Sequence, residues 1–529
     1  MKKFTAEVTE NRSEHCEDVQ SHAVGSNDKQ HKMSLIAHIK KYPKVILASM
    51  VANIGSIMWG YDLGVGNMSI ALPGFKLHFG YVYQDTLLIS ATWNALWTAM
   101  TFVGVLIGSA ICGQISDWRG RRASFAVGSC ISLVGVGIMY ASETHGMLLA
   151  SKIINGCALG IYLTLSPTYA SEIAPDELRP MLTAATQLFT GIGTMTAIGI
   201  GNTRFHIMGK ESYKVLFVSQ FAFPSVILLS LIVLPESPWF LVRKGRLDDA
   251  QKTLERLSND QSTVPTQLAK IQIAVNAEEE LAIAQKSSTY LDCFKGTDFR
   301  RTRITCGSFL TLQAMGLALY SQSLYFLGIA GLDIGLSFKL ALGGFGVAAI
   351  GTILSWFIME HIGKSVFSGR RRSLLFGGSI ANTLLLIGIG IAGFFQSHGS
   401  LLWIAYALNF SHIIVAPTVG PASWVVASEA SSSRLRAKTI SLGTMINGLS
   451  SWLFTFITPY LINTDQANLG AKSAFVFAGT SLAAATWVWF EVPESKGRDY
   501  AALDWLYESK TPTRKFPSMN IPSVDSLIK

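Results

Sequence analysis

The chain has 529 residues, 49% of them hydrophobic and only 15% charged, with a formal net charge of +9 and a mean hydropathy of +0.36. A soluble chain carries roughly a quarter charged residues, so the deficit excludes an ordinary water-soluble domain and points to lipid as the solvent. The positive balance does not imply nucleic acid, because the basic residues crowd some loops and avoid others, which is a signal of membrane topology.

The first forty-odd residues are polar and charged, which rules out a cleavable signal peptide, and residues 1–44 read as a disordered tail. Largely uncharged runs of about 20 residues, enough to cross a ~30 Å hydrocarbon core as a helix, then begin near Val45, Thr86, Ala123, Ile153, Met181 and Val215. Six more begin near Ile304, Leu340, Ser373, Gly399, Thr439 and Ser473. Spans this long and this apolar are helices rather than barrel strands. The expectation is an all-α membrane protein of twelve transmembrane helices, six within 45–234 and six within 304–492. Glycine is abundant, with 47 residues, as expected where helices approach closely in lipid.

Between the two blocks, residues 235–303 form the one long charged segment. It opens with Pro235-Glu236-Ser237-Pro238-Trp239, passes through the acidic run Glu278-Glu279-Glu280, and closes on Arg300-Arg301-Thr302-Arg303. Within it, Gly245-Arg246-Leu247-Asp248-Asp249-Ala250 runs on to Leu254 and Leu257, an amphipathic helix with acid in its first turn. A polar strap joining two six-helix bundles is the plan of a two-halved transporter. The tail 493–529 is short and basic and reads as no domain.

Twelve spans put both termini on one side. Lys76, Arg204, Lys210, Lys214, Lys339 and Lys472 fall on one face and Lys152 at the start of a span; the rest of the 43 lysines and arginines fall in the tails and the other loops. Positive charge stays inside, so both termini and the strap are expected in the cytoplasm. Three charged signatures also recur in order. Glu172 and Arg179 return as Glu429 and Arg436, Pro235-Glu236-Ser237 as Pro493-Glu494-Ser495, and Gly120-Arg121-Arg122 as Gly369-Arg370-Arg371-Arg372.

Asp62 is a carboxylate in an otherwise apolar span, where charge is expensive and hence a functional candidate. Desolvation there favours the neutral acid, so a proton can be loaded and released. Gln187 and Gln313 are amides able both to donate to and to accept from hydroxyls. Gln313, Gly316, Tyr320 and Ser323 recur at helical spacing and are expected on one face of span 7. Trp424 offers a flat apolar surface for a ring. For Gln322 and Tyr320, a substrate contact and an ordinary interhelical hydrogen bond weigh equally. No phosphate loop, metal cluster or nucleophile motif is present, and the cysteines Cys16, Cys112, Cys130, Cys157, Cys293 and Cys306 show neither a disulfide framework nor zinc spacing. An enzyme, a cofactor or a metal site is therefore not expected.

Several stretches together resemble the sugar porter branch of the major facilitator superfamily (MFS). They are Gly60-Tyr61-Asp62, Asp117-Trp118-Arg119-Gly120-Arg121-Arg122, Pro167 to Pro175 followed by Arg179, Pro235 to Leu241, Gly420-Pro421-Ala422-Ser423-Trp424, Glu429 to Arg436, and Pro493 to Gly497. Arg434-Leu435-Arg436-Ala437-Lys438-Thr439 and Thr513-Arg514-Lys515-Phe516 look most like the fungal α-glucoside (maltose) permeases. The resemblance implies proton-coupled uptake of a sugar or α-glucoside by alternating access, through a monomer in the plasma membrane. It implies a proton site at Asp62 with Lys152, where the family usually has an arginine, and places Asn447 at the family's sugar-binding asparagine. It also implies a gating network at the mouth facing the strap, made of Asp117, Arg121, Arg122, Glu172, Arg179 and Glu236 in one half and of Arg371, Glu429, Arg434, Arg436 and Glu494 in the other. Such pairs would hold the outward-open state and break as the halves rock. The chain departs from the family in span 7, where Ala318 replaces an asparagine, at Pro180, which replaces a glycine, and by an insertion from Lys364 to Ser368. Two alternatives remain: transport of a non-sugar metabolite, because span 7 has lost polar contacts, and a non-transporting nutrient sensor, against which the short tail counts.

Overall fold

A computed structural model describes residues 41–175, 178–285, 289–361, 371–395, 397–432, 435–494, 500–509 and 511–519. The tail before residue 41, the insertion from Lys364 to Ser368 and Arg434 lie outside the described residues. Span 1 is Pro43–Ala52 continued by Ile54–Ala71; spans 2 to 5 are Ala91–Arg119, Arg121–Ala141, His145–Ile173 and Arg179–Arg204; span 6 is Glu211–Ser219 with Ala222–Ser230. Span 7 comes in three pieces, Gly296–Ala314, Leu317–Ser321 and Ser323–Ile329. Spans 8 to 12 are Ile334–His361, Arg371–Ala392, His398–Ala430, Arg436–Ile462 and Ser473–Glu491.

The protein is thus an all-α membrane fold of twelve spans in two six-helix halves. Among the described residues, eight of the spans are individually long and apolar enough to cross a membrane. Spans 4 and 7 begin at His145 and Gly296, ahead of the apolar runs near Ile153 and Ile304, because helical bonding carries on into charged sequence at the membrane edge. One element departs from all-α. After a short helix, Pro73–Phe79, an antiparallel hairpin pairs Tyr81–Tyr83 with Thr86–Leu88. Its turn residues Gln84 and Asp85 both have positive φ, 43° and 58°, as a tight two-residue hairpin requires.

The halves repeat one packing plan. Span 1 lies against span 5 as span 7 lies against span 11, and span 2 against span 4 as span 8 against span 10. Glycines set how closely the first two pairs approach. A Cβ at Gly60 would sit 1.9 Å from the Thr190 carbonyl oxygen, and one at Gly108 1.9 Å from that of Cys157. The halves meet where span 5 packs on span 8 and span 11 on span 2. One buried apolar cluster crosses that seam, joining Val65, Ala197 and Ile198 to Leu324, Tyr325 and Phe338.

On the face carrying the strap, the helices Pro238–Arg243, Leu247–Leu257 and Val264–Gln285 share a small core of their own, with Phe240, Leu241, Ala250, Leu254, Ile271 and Val275 buried. The helix Leu247–Leu257 has Asp248 and Asp249 in its first turn, where they complement the positive end of the helix dipole. The tail after span 12 packs more closely than its composition suggests. The helix Tyr500–Glu508 and Phe516 bury Leu503, Leu506 and Tyr507 against Ile304, Leu375 and Val488. The Arg301 guanidinium lies 4.5 Å from the centre of the Tyr507 ring, a cation–π contact that ties the tail to the start of span 7.

Candidate functional site

The first half encloses an ion pair. Asp62 on span 1 and Lys152 on span 4 are 2% and 5% exposed, and the ammonium donates to both carboxylate oxygens at 3.2 and 3.4 Å. A second donor comes from one turn further along span 4, where Asn155 Nδ2 reaches Asp62 Oδ1 at 3.0 Å. Asn155 Oδ1 in turn accepts from the Ser132 hydroxyl at 3.1 Å. Two opposite charges this deeply buried are tolerable only when paired and hydrogen-bonded. Asn155, Ser132 and Gln220, whose Oε1 faces Asn155 Nδ2 at 3.5 Å, do not stand out in the sequence because an isolated amide or hydroxyl in an apolar span is usually a packing residue. The available signal was spacing, since Asn155 follows Lys152 by three and so shares its helix face.

In the second half, span 7 is broken rather than continuous. Gly316 adopts the left-handed conformation, with φ 84°, and the helix stops at Ala314 and restarts at Leu317. The single face expected to carry Gln313, Gly316, Tyr320 and Ser323 therefore does not exist, because the break rotates the later residues away from Gln313. The break frees carbonyls that lipid cannot satisfy, and polar side chains meet them. Asn382 Nδ2 donates to Met315 O at 2.9 Å and Thr480 Oγ1 to Ala314 O at 2.9 Å. The Tyr320 hydroxyl lies 2.8 Å from Asn382 Oδ1, 3.1 Å from Met315 O and against Ser411 Oγ. That hydroxyl is engaged in holding the break together.

The remaining candidates lie on spans 5, 7, 10 and 11. Gln187 on span 5 is exposed. Trp424 on span 10 is 50% exposed and meets Phe309 edge to face at 4.7 Å. Gln313 Nε2 donates to Asn447 Oδ1 at 2.8 Å, so spans 7 and 11 present a joined pair of amides. The structure brings Gln313 and Asn447 together and keeps Tyr320 in a separate cluster.

The face opposite the strap is closed by contacts between the halves. Asn94 on span 2 and Gln322, which joins the last two pieces of span 7, exchange amide hydrogen bonds of 3.2 and 3.3 Å. Asn463 Nδ2 donates to the Ile89 carbonyl at 2.8 Å and its Oδ1 accepts from Tyr325 at 3.0 Å. Tyr460 reaches Thr92 at 3.2 Å, and Tyr81 of the hairpin donates to Asp465.

The sugar (and other) transporter family matches residues 48–507 of this chain. The chain belongs to that family. The transporter is 36% identical over 469 residues to the MFS transporter fmqE of Aspergillus fumigatus, covering 87% of this chain and 85% of the relative. It is 28% identical over 501 residues to a general alpha-glucoside permease of Saccharomyces cerevisiae, covering 93% of this chain and 80% of the permease. Among solved structures, the MFS proton:xylose symporter XylE bound to 6-bromo-6-deoxy-D-glucose superposes with a TM-score of 0.65 at 18% identity, over 88% of this chain and 99% of that one. The protein is a multi-pass membrane transporter of the sugar porter group, and not an enzyme.

At the transporter's strap face, Arg121 forks onto Glu172 with bonds of 2.8 and 2.6 Å. The backbone N–H of Arg121 donates to Glu236 at 2.8 Å, and Arg122 donates to the Leu231 carbonyl at 2.6 Å. These partners all lie in the first half or at the start of the strap, so the bonds tie the ends of spans 2, 3, 4 and 6 to one another. These bonds of Arg121 and Arg122 therefore lie within the first half and do not cross to the second. The Arg179 guanidinium donates to Ser171 O at 3.0 Å and lies 5.9 Å from the Trp239 ring, and Asp117 is exposed. In the second half Arg372 donates to Trp489 O at 2.7 Å, repeating the bond from Arg122 to Leu231. Glu494 there is 7% exposed, and Glu429 and Arg436 are half-buried; Arg371 opens span 9. Among the described residues no group of three or more His, Cys, Asp or Glu could hold a metal ion.

Proposed function

We propose that this transporter takes up a sugar or α-glucoside together with a proton, by alternating access. The observation that carries the proposal is the buried pair of Asp62 and Lys152, 3.2 Å apart. A carboxylate sealed in a membrane span against one movable cation is suited to loading and unloading a proton, since protonation removes the charge that holds the lysine. The strap and both termini face the cytoplasm in this reading, which makes the present form inward-facing, and the protein works as a monomer in the plasma membrane. In this reading Gln187, Gln313, Asn447 and Trp424 are the substrate contacts, supplying amides for hydroxyls and a ring surface for a sugar face. Proton symport by XylE and α-glucoside uptake by the yeast permease are properties of those proteins, and they support the reading for a chain of the same family.

A second reading, transport of a non-sugar metabolite, has its own support. Ala318 stands where sugar porters carry an asparagine, the Tyr320 hydroxyl is spent on the helix break, and Gln313 and Asn447 bond to each other. Uptake of a panel of labelled hexoses, pentoses and α-glucosides by transporter-null yeast separates the readings. Uptake of at least one sugar, driven by an acid exterior, is expected; no uptake of any member by a surface-expressed protein favours the metabolite. In proteoliposomes with an imposed proton gradient, Asp62→Asn is expected to lose accumulation while still exchanging solute. Accumulation equal to the parent's would assign coupling elsewhere.

A further inference from the structure

We propose that Asn155 is a positioning residue for proton coupling: it fixes the Asp62 carboxyl group against Lys152, with Ser132 and Gln220 setting the amide's orientation. The proposal rests on the reading of Asp62 as the proton carrier. Asn155 is 0% exposed, so each of its polar atoms must find a partner inside the protein. Its Nδ2 has two hydrogens. One is aimed at Asp62 Oδ1 at 3.0 Å and the other faces Gln220 Oε1 at 3.5 Å. Its Oδ1 accepts from Ser132 at 3.1 Å. Turning the amide over would set an oxygen against the carboxylate and strand the serine hydroxyl, so one orientation is strongly preferred.

The backbone is arranged to deliver this group. Lys152 and Asn155 stand three residues apart on span 4 and face span 1 together. Span 3 comes so close that a Cβ at Gly135 would lie 2.8 Å from the Asn155 nitrogen, which brings Ser132 within reach. Gln220, also 0% exposed, has no stronger partner for its own Nε2 than the Met139 sulfur at 4.0 Å.

Lysine alone would leave Asp62 with a single flexible donor. The Asn155 N–H bonds more strongly to a charged carboxylate than to the carbonyl of the neutral acid, and it keeps the side chain in place when Lys152 swings away. The surroundings add no competing charge. Among the described residues Lys152 is the charged group within hydrogen-bonding reach of Asp62. Span 3 contributes Ser132, span 5 Thr194, which bonds to the Gly60 carbonyl, and span 6 Gln220, while the neighbouring Tyr61 hydroxyl is turned to Ser219.

The test reads the carboxyl directly in purified, solute-free protein by infrared difference spectroscopy during a pH titration. A protonated-carboxyl C=O band that disappears in Asp62→Asn identifies the group. In Asn155→Leu the midpoint of that band is expected to move to higher pH by about one unit, the size expected for losing one hydrogen bond to a charge. Ser132→Ala, which removes little volume, is expected to move it in the same direction by less, and it keeps the test available if Asn155→Leu fails to fold. A band assigned to Asp62 whose midpoint stays at the parent value in both variants overturns the positioning role. If instead no band in the parent is removed by Asp62→Asn, the reading of Asp62 as proton carrier fails and this proposal falls with it.

Discussion

A buried charge pair has a sharply asymmetric response to mutation. Truncating Lys152 to alanine leaves Asp62 sealed in without a counter-ion, which costs ~3–5 kcal/mol when the survivor stays charged. Lys152→Ala is therefore expected to lower the thermal midpoint of the detergent-purified protein markedly, and adding Asp62→Asn is expected to recover most of the loss. A double variant no more stable than Lys152→Ala would mean that the charge was never the problem. Gln187→Ala removes an exposed amide, so folding should be untouched and affinity for the transported solute should fall by ~1–3 kcal/mol, as measured by half-saturation of uptake. On the face opposite the strap, pH also acts on a cluster where Glu143 takes bonds from Lys210 and Lys214. Those bonds hold the Glu143 carboxyl down to about 2. A depressed acid contributes its stability above its unfolded value and loses it only as pH falls through the folded one. Above that unfolded value the carboxylate keeps both lysines, and the group of this cluster that titrates nearer neutrality is His78, 3.1 Å from Glu143, which burial and the two lysines hold below its usual range. Proton dependence of uptake that survives His78→Gln and is lost in Asp62→Asn is the part that belongs to the buried pair. The two charges of the pair were legible in the sequence, because charge inside an apolar span stands out by its cost. Asn155 was not, since an amide carries no such penalty once its partners are known, and those partners sit on three other helices.

At the scale of elements, the twelve spans were readable from apolar run length, and the alignment of charged signatures exposed the repeat. The break in span 7 was not readable. Glycines recur throughout these helices, and nothing local separates Gly316, which is left-handed, from Gly108, which allows a close approach. What sustains the break is long-range: Asn382 from span 9, Ser411 from span 10 and Thr480 from span 12 gather around the carbonyls it frees. Asn382→Leu keeps the volume but removes one bond each from the Met315 carbonyl and the Tyr320 hydroxyl, and takes from the Ser411 hydroxyl an acceptor, in an apolar setting. A destabilisation of ~1–3 kcal/mol is expected, seen as a lower melting midpoint. Asn382→Asp, which loses the donor and adds a charge, should be worse. Equal midpoints for Asn382→Leu and the parent would show that the break is held by packing alone.

For the whole molecule, the proposed alternating access would require that the closed face open once per cycle, and the contacts across it are those that would part. Asn94 and Gln322 meet across the halves through reciprocal amide bonds of 3.2 and 3.3 Å, and Asn463 and Tyr325 gather on the Ile89 carbonyl beside them. These contacts left no trace in the sequence, because they join residues more than two hundred positions apart and each residue alone resembles an interhelical hydrogen bond. Each bond is weak, about 0.5–1.5 kcal/mol net, so the set can hold one state without trapping it. A covalent link at the same place would not be reversible in this way. With the cysteines Cys112, Cys130, Cys157, Cys293, Cys306 and Cys16 replaced, Asn94→Cys combined with Gln322→Cys should be bridged by a short bis-methanethiosulfonate reagent, which fills the length that the two meeting amides span now. The bridge is expected to stop uptake, reduction to restore it, and each single-cysteine variant to keep uptake through both treatments. Uptake that continues at the parent rate after gel shift shows the link complete would mean that solute crosses without parting the halves here.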